Sequence, residues 1–256
     1  MQLVILGCGS SMGVPRADGD FGNCDPRVRR NYRTRCSALI KTKSKNILID
    51  TSPDLRIQLI KNKINKVDAV LYSHMHADQT HGINDLRVFY LKNKKTLPVF
   101  ADIYTSKYLI KTFGYCFKRT SNEYPPILNL NRIKKKLYFT DIKKKILIET
   151  ATVKHGMVQS ICYIIEKKVA YISDVSEISK KDYHLFKNLK YLILDCLWYK
   201  KHPSHLNLDQ ALHLLKIFKP RKAILTNLHS EIDYNKIKKI LPNNVIPAFD
   251  GLTINF

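Results

Sequence analysis

Residues 73–82 read Ser73-His74-Met75-His76-Ala77-Asp78-Gln79-Thr80-His81-Gly82 and follow directly on the β-rich run Asp68–Tyr72. Side chains alternate along an extended segment, so His74 and His76 point to the same side and two imidazoles can share one ion. Asp78 falls on the next turn, within reach of a second position. Three histidines and an aspartate in eight residues are too dense for isolated structural histidines. Neutral imidazole and carboxylate favour zinc, or manganese in a setting richer in oxygen.

The rest of the chain fits a frame that carries such a loop. By β-branched content and length, strands are expected at Gln2–Leu6, Ala38–Thr42, Asn46–Asp50, Asp68–Tyr72 and Pro98–Asp102. Further strands are expected at Ile146–Val153, Ser160–Glu166, Val169–Ser173, Tyr191–Asp195 and Ala223–Thr226. A helix is expected over Ser52–Lys61, with Ser52 as N-cap and Pro53 at the first helical position. Ser106–Phe113, Leu208–Phe218 and Tyr234–Ile240 also read as helices. No repeat, low-complexity linker or boundary interrupts this alternation, which predicts one α/β domain over residues 1–256. Several of the strands end in polar residues: Asp50, Ser73-His74, Asp174, Asp195 and Thr226-Asn227. One site along one sheet edge, built from loops on a rigid frame, explains that pattern.

Charge is the second constraint. Lys and Arg number 44 against 21 Asp and Glu, a formal +23, which by itself suggests a polyanionic partner. Lysine supplies most of the excess, as an AT-rich coding sequence would on any solvated surface. Arginine is distributed differently: Arg16, Arg27, Arg29, Arg30, Arg33 and Arg35 lie within twenty residues, and guanidinium forks suit phosphate. A second basic stretch runs from Lys107 to Lys145, net +9. The hydrophobic content of 45% excludes a disordered chain. No apolar run nears the roughly 18 residues of a membrane span, and Met1–Gly13 lacks a basic, secretory-type start. The six cysteines form no CxxC pair and are expected to be reduced, in a cytoplasmic protein without a membrane partner. Cys24, in a polar loop, is considered as an accessory metal ligand.

The His74-x-His76-x-Asp78 run after a strand resembles the metallo-β-lactamase fold superfamily, whose usual motif is HxHxDH. The resemblance extends over nearly the whole chain and implies a four-layer αββα sandwich. Asp50 resembles the aspartate that braces the metal-binding loop, His155 the third histidine of the first site, Asp174 the bridging carboxylate and His229 the last histidine. Gln79 stands where the pattern has a histidine of the second site. The implied cofactor is therefore Zn²⁺ or Mn²⁺ in one tight site (His74, His76, His155, Asp174). A weaker second site would comprise Asp78, Gln79, Asp174 and His229, with His81 as a conceivable substitute.

The glycine-rich turn Gly7-Cys8-Gly9-Ser10-Ser11-Met12-Gly13 and the phrase His81-Gly82-Ile83-Asn84-Asp85-Leu86-Arg87 look like the branch of phosphoribosyl cyclic phosphodiesterase and ribonuclease Z. That resemblance implies hydrolysis of a small cyclic or nucleotide-like phosphodiester, with Asp78 orienting the attacking water. His205, in His202-Pro203-Ser204-His205, would neutralise charge on the phosphorane or protonate the leaving oxygen. Ser10, Ser11, Arg30, Arg33 and Arg35 are the expected substrate contacts, and a homodimer is implied by resemblance alone. Two alternatives stand beside this reading. One is an RNA partner, with tRNA 3' processing by a ribonuclease Z-like enzyme tracked along Lys107–Lys145; the other is a catalytically impaired metal-binding module.

Overall fold

Consecutive residues of a strand face opposite sides of its sheet, and here both sides are covered: Ile47, Leu48 and Ile49 are each inaccessible to solvent. The computed structural model describes residues 1–119, 121 and 124–256. Its strands begin with β1 (Gln2–Gly7), β2 (Ser37–Lys41), β3 (Asn46–Ile49), β4 (Ala69–Leu71), β5 (Leu97–Ala101), β6 (Leu128–Arg132) and β7 (Lys136–Asp141). They continue with β8 (Lys144–His155), β9 (Val158–Ile165), β10 (Val169–Ile172), β11 (Tyr191–Asp195), β12 (Lys222–Thr226), β13 (Val245–Pro247) and β14 (Leu252–Asn255). The helices are α1 (Leu55–Lys61), α2 (Ala77–Thr80), α3 (Arg87–Asn93), α4 (Ile103–Phe117), α5 (Leu208–Phe218) and α6 (Tyr234–Ile240).

The strands form two seven-stranded sheets, ordered β14-β1-β2-β3-β4-β5-β6 and β13-β12-β11-β10-β9-β8-β7. Between them, Leu3, Ile5, Ile40, Ile47, Ile49 and Leu71 of the first sheet meet Ile148, Tyr163, Tyr171, Ile193 and Ile224 of the second. On the outer face of the first sheet, Leu39, Leu48 and Val70 pack against Leu55 and Leu59 of α1, Phe89 of α3 and Leu109 of α4. On the outer face of the second, Ala170, Ile172, Leu194 and Leu225 pack against Ala211, Leu214, Leu215 and Phe218 of α5 and Ile237 of α6. The layers are therefore αββα. Each buried aliphatic side chain is worth about 1.5–3 kcal/mol, whereas an exposed pair such as Lys154–Glu177 is worth about 0–1. Apolar burial, not the lysine coat, holds the sandwich together.

Local chemistry sets the helix starts. α5 begins where Asn207 Oδ1 accepts the Gln210 amide at 3.0 Å and Gln210 Oε1 accepts the Asn207 amide at 3.0 Å, a reciprocal cap that fixes the expected boundary. Asp102 caps α4 by accepting the Thr105 amide at 2.7 Å, three residues ahead of the expected start. Ser52 does not cap α1. Its hydroxyl accepts the Asp54 amide at 3.0 Å, closing a local turn that delays the helix to Leu55. The lysine-rich stretch Lys107–Lys145 folds into the rest of α4, β6, β7 and the start of β8, with residues 120, 122 and 123 outside the described set.

Strand direction collects the site. β3 and β4 are parallel, as are β10, β11 and β12. β8 and β10 are both antiparallel to β9 and so share a direction. The carboxyl ends of β3, β4, β8, β10, β11 and β12 hence open on one edge, where Asp50, His74, His155, Asp174, Asp195 and Asn227 follow or end them.

Candidate metal centre

The loop after β4 is clasped by the loop after β3. Asp50 Oδ1 accepts the Ser73 amide at 2.7 Å, the Thr51 amide donates to the Gln79 carbonyl at 2.8 Å, and the Gly82 amide donates to the Thr51 carbonyl at 2.9 Å. A Cβ on Gly82 would lie 2.0 Å from the Ser52 carbonyl oxygen, so only glycine allows this approach. Burial pushes the Asp50 carboxyl well above its ordinary range.

On that clasp, His74 Nε2 lies 3.0 Å and His155 Nε2 3.2 Å from His76 Nδ1. Burial drives the His74 imidazole down to about 3 and lowers His76 as well, so both rings keep free lone pairs. Three ring nitrogens facing one another across such distances suit a shared cation with Zn–N bonds of about 2.0–2.1 Å. The remaining nitrogens are oriented as ligand histidines need: His74 Nδ1 is 3.0 Å from Ser73 Oγ, and His155 Nδ1 is 2.7 Å from the Ser204 carbonyl. These residues fit a metal ion.

A second cluster abuts the first. Ligand atoms of His155, Asp174 and His205 all lie within 4.8 Å of one another. Burial and the neighbouring Asp174 push the Asp78 carboxyl up to about 6. Asp174, although buried, is held below its ordinary range by His74, His205 and His155. Burial alone would lower His205, but Asp195 with Asp174 and Asp78 outweighs it and lifts the imidazole to about 9. Asn227 Nδ2 joins Asp195 Oδ1 at 3.2 Å to Asp174 Oδ1 at 3.4 Å.

Other expected site residues fall elsewhere. His229 lies outside both clusters among the described residues; its ring stacks on Trp198 at 5.1 Å and its Nδ1 accepts the Glu231 amide at 3.2 Å. His81 bonds the Tyr108 hydroxyl at 2.8 Å instead of joining the metal residues. Arg33 is 2% exposed, and its guanidinium donates to the Ile232 carbonyl at 2.7 Å and Asn31 Oδ1 at 3.1 Å, leaving no surface for a substrate. Arg35 is engaged by Asp54 at 3.0 Å, and Arg30 lies over the rings of Tyr234 and Phe249. The arginines are close in sequence, but the turns of the 29–35 segment send them to different partners. Cys24 is buried with its thiol on the Ile232 carbonyl, 3.2 Å away, and belongs to neither cluster. Ser10 is buried with no partner for its hydroxyl, and Ser11 is exposed on the adjoining turn. Asp195 and Asn227 were visible as polar strand ends, but nothing local marked their pairing; the Ser204 carbonyl has no sequence signal.

A four-layer sandwich with histidines and aspartates gathered at one edge of both sheets defines a hydrolase of the metallo-β-lactamase fold. The chain belongs to the beta-lactamase superfamily, whose domain model matches residues 45–227. It is 28% identical to a crystal structure described as a new diphosphatase from the PhnP family, with a TM-score of 0.89 over 100% of this chain and 97% of that one. Zn²⁺-bound PqqB from Methylobacterium extorquens aligns with a TM-score of 0.77 at 16% identity, covering 100% of both chains. Human tRNase Z, short form, gives 0.72 at 14% identity, covering 100% and 99%; these two show the fold alone. In sequence, the chain is 31% identical over 257 residues to an octanoyltransferase of Porphyromonas gingivalis (strain ATCC BAA-308 / W83). That match takes in 98% of this chain but only 51% of that protein's length. Among the described residues, no helix is long and apolar enough to cross a membrane.

Proposed function

We propose that the protein is a metal-dependent phosphodiesterase acting on a small cyclic or nucleotide-like phosphodiester. The observation that carries this reading is His205, a cationic imidazole buttressed by Asp195 and set with its ring centroid 4.6 Å from that of His155. A phosphoryl transition state gathers negative charge on its oxygens, and a fixed cation beside it stabilises that charge. The 28% identity to a diphosphatase supports phosphorus chemistry. Octanoyl transfer is not carried over, because half of that relative has no counterpart here.

His74, His76 and His155, with Asp174, would hold zinc or manganese. When bound, the ion acidifies a water and polarises a nonbridging oxygen. Asp78, ionised above about pH 6, orients the attacking water and takes its proton as the new P–O bond forms. His205 Nε2 gives a proton to the departing oxygen as the old P–O bond breaks, while Asp195 holds Nδ1. Residues 1–256 act as one hydrolase unit, since the ligands come from both sheets. A cytoplasmic location is supported by six cysteines that are buried and unpaired.

The test is turnover of a bis-aryl phosphodiester, a ribose cyclic phosphate and a tRNA precursor under Zn²⁺ and Mn²⁺. Hydrolysis of the small esters, nearly independent of salt, is expected. An RNA-tracking enzyme would instead lose affinity steeply between low and moderate salt, and no turnover of any phosphodiester would refute the assignment.

A further inference from the structure

Gln79 is inaccessible to solvent. Its carbonyl is fixed by the Thr51 amide and its amide donates to the His76 carbonyl at 3.1 Å. Its side-chain Nε2 donates to Asp78 Oδ2 at 3.2 Å and to Asp174 Oδ2 at 3.2 Å. Oε1 is buried with no partner. The reverse orientation would aim a carbonyl oxygen at two carboxylates, acceptor against acceptor, so the two aspartates themselves dictate which way the amide faces.

A cation shared by Asp78 and Asp174 would compete with the carboxamide that now lies against the Oδ2 atom of each. Gln79 could offer such a cation only Oε1, and turning it inward would withdraw the amide donor from both Oδ2 atoms. His229, the remaining nitrogen expected for a second ion, lies outside both groups of converging ligand atoms among the described residues, its ring stacked on Trp198 and its Nδ1 accepting the Glu231 amide. The second position therefore lacks both of its nitrogen donors, while its carboxylates are already bridged.

We infer that the Gln79 carboxamide takes the place of a second metal ion, tying Asp78 to Asp174 by two hydrogen bonds, so that the protein works with one divalent ion per chain. Gln79 is thus a positioning residue: it fixes Asp78, the proton acceptor, relative to Asp174. The inference rests on the reading of the three-histidine cluster as a metal site.

The experiment strips the full-length chain with chelator, reloads it with excess Zn²⁺ or Mn²⁺, desalts it and counts metal by mass spectrometry. Electron paramagnetic resonance of the Mn²⁺ form runs in parallel. Wild type is expected to retain one ion with an isolated-ion spectrum. Gln79→His, which supplies an imidazole and withdraws the bridging amide, is expected to retain two with a spin-coupled spectrum. Two ions in wild type, or one ion in a folded Gln79→His, would overturn the inference and leave the first site standing. No ion in wild type would overturn the metal-centre reading instead. If Gln79→His loses its thermal transition, the wild-type count decides alone, being measured on the unaltered chain.

Discussion

His205 Nδ1 lies 2.9 Å from Oδ2 of Asp195, a carboxylate with no solvent exposure at the end of β11. This pair gives the site a fixed positive charge, because the carboxylate outweighs the burial that would otherwise neutralise the imidazole. Since the His205 pKa is raised to about 9, the imidazolium is present below that pH and lost above it, so turnover should fall on the alkaline side near pH 9. His205→Ala should lower kcat by about 10²–10⁴-fold with metal content intact, and abolish that alkaline limb. Asp195→Asn should shift the limb to lower pH. Unchanged turnover in His205→Ala would remove the residue from the mechanism.

The His74–His76–His155 cluster joins loops from the two sheets, so an ion held there should stabilise the fold as well as serve catalysis. An ion held at a hundred times its Kd adds about 2.7 kcal/mol to folding. Chelation should therefore lower the melting temperature, and Zn²⁺ or Mn²⁺ should restore it. His76→Ala should abolish the restoration while leaving the apo melting temperature near that of wild type, since His76 is exposed. A melting temperature indifferent to chelator and metal would contradict the cluster's assignment.

The metal residues were legible because the chemistry is dense: three ligands or near-ligands within the segment 74–78, and others at the ends of strands with uniform apolar runs. Elements with clear periodicity, such as α5 and β11, matched their expected bounds. β6, β7, β13 and β14 were not expected, because the first two lie in the lysine-rich stretch where exposed polar positions break the apolar run and the other two are three- and four-residue strands. The arginine cluster misled for a different reason. Nearness in sequence says nothing about direction, and only the folded chain shows Arg33 turned inward. Gln79 was recognisable as a departure, but its role as a donor to two carboxylates depends on Asp174, 95 residues away.

Asp250 offers a pH test away from the metal residues. Burial pushes its carboxyl up to about 6, although it accepts the Thr34 amide and hydroxyl at 2.8 and 2.6 Å. A raised acid binds its proton more tightly when folded, so its contribution favours folding at low pH and is lost as pH rises from about 4 to about 6. The loss is about 3 kcal/mol. Chemical denaturation between pH 4 and 7 should show this decline superimposed on the global titration, and Asp250→Asn should flatten it. An identical pH slope in the variant would show that Asp250 titrates normally.

Arg33 separates a structural from a substrate-binding role. Its guanidinium satisfies the Ile232 and His229 carbonyls and Asn31 Oδ1, all from an interior position. Arg33→Met keeps the apolar stem but removes three hydrogen bonds donated by a buried cation, each worth about 1.5–3 kcal/mol. The acceptors keep the Ile232 amide, the Tyr234 amide and the Cys24 thiol as donors. A net loss of at least about 2 kcal/mol should lower the melting temperature by roughly 4–8 °C. KM of the folded fraction should stay near the wild-type value, because no part of the side chain reaches the cleft. The opposite result, a raised KM with an unchanged melting temperature, would return Arg33 to the substrate.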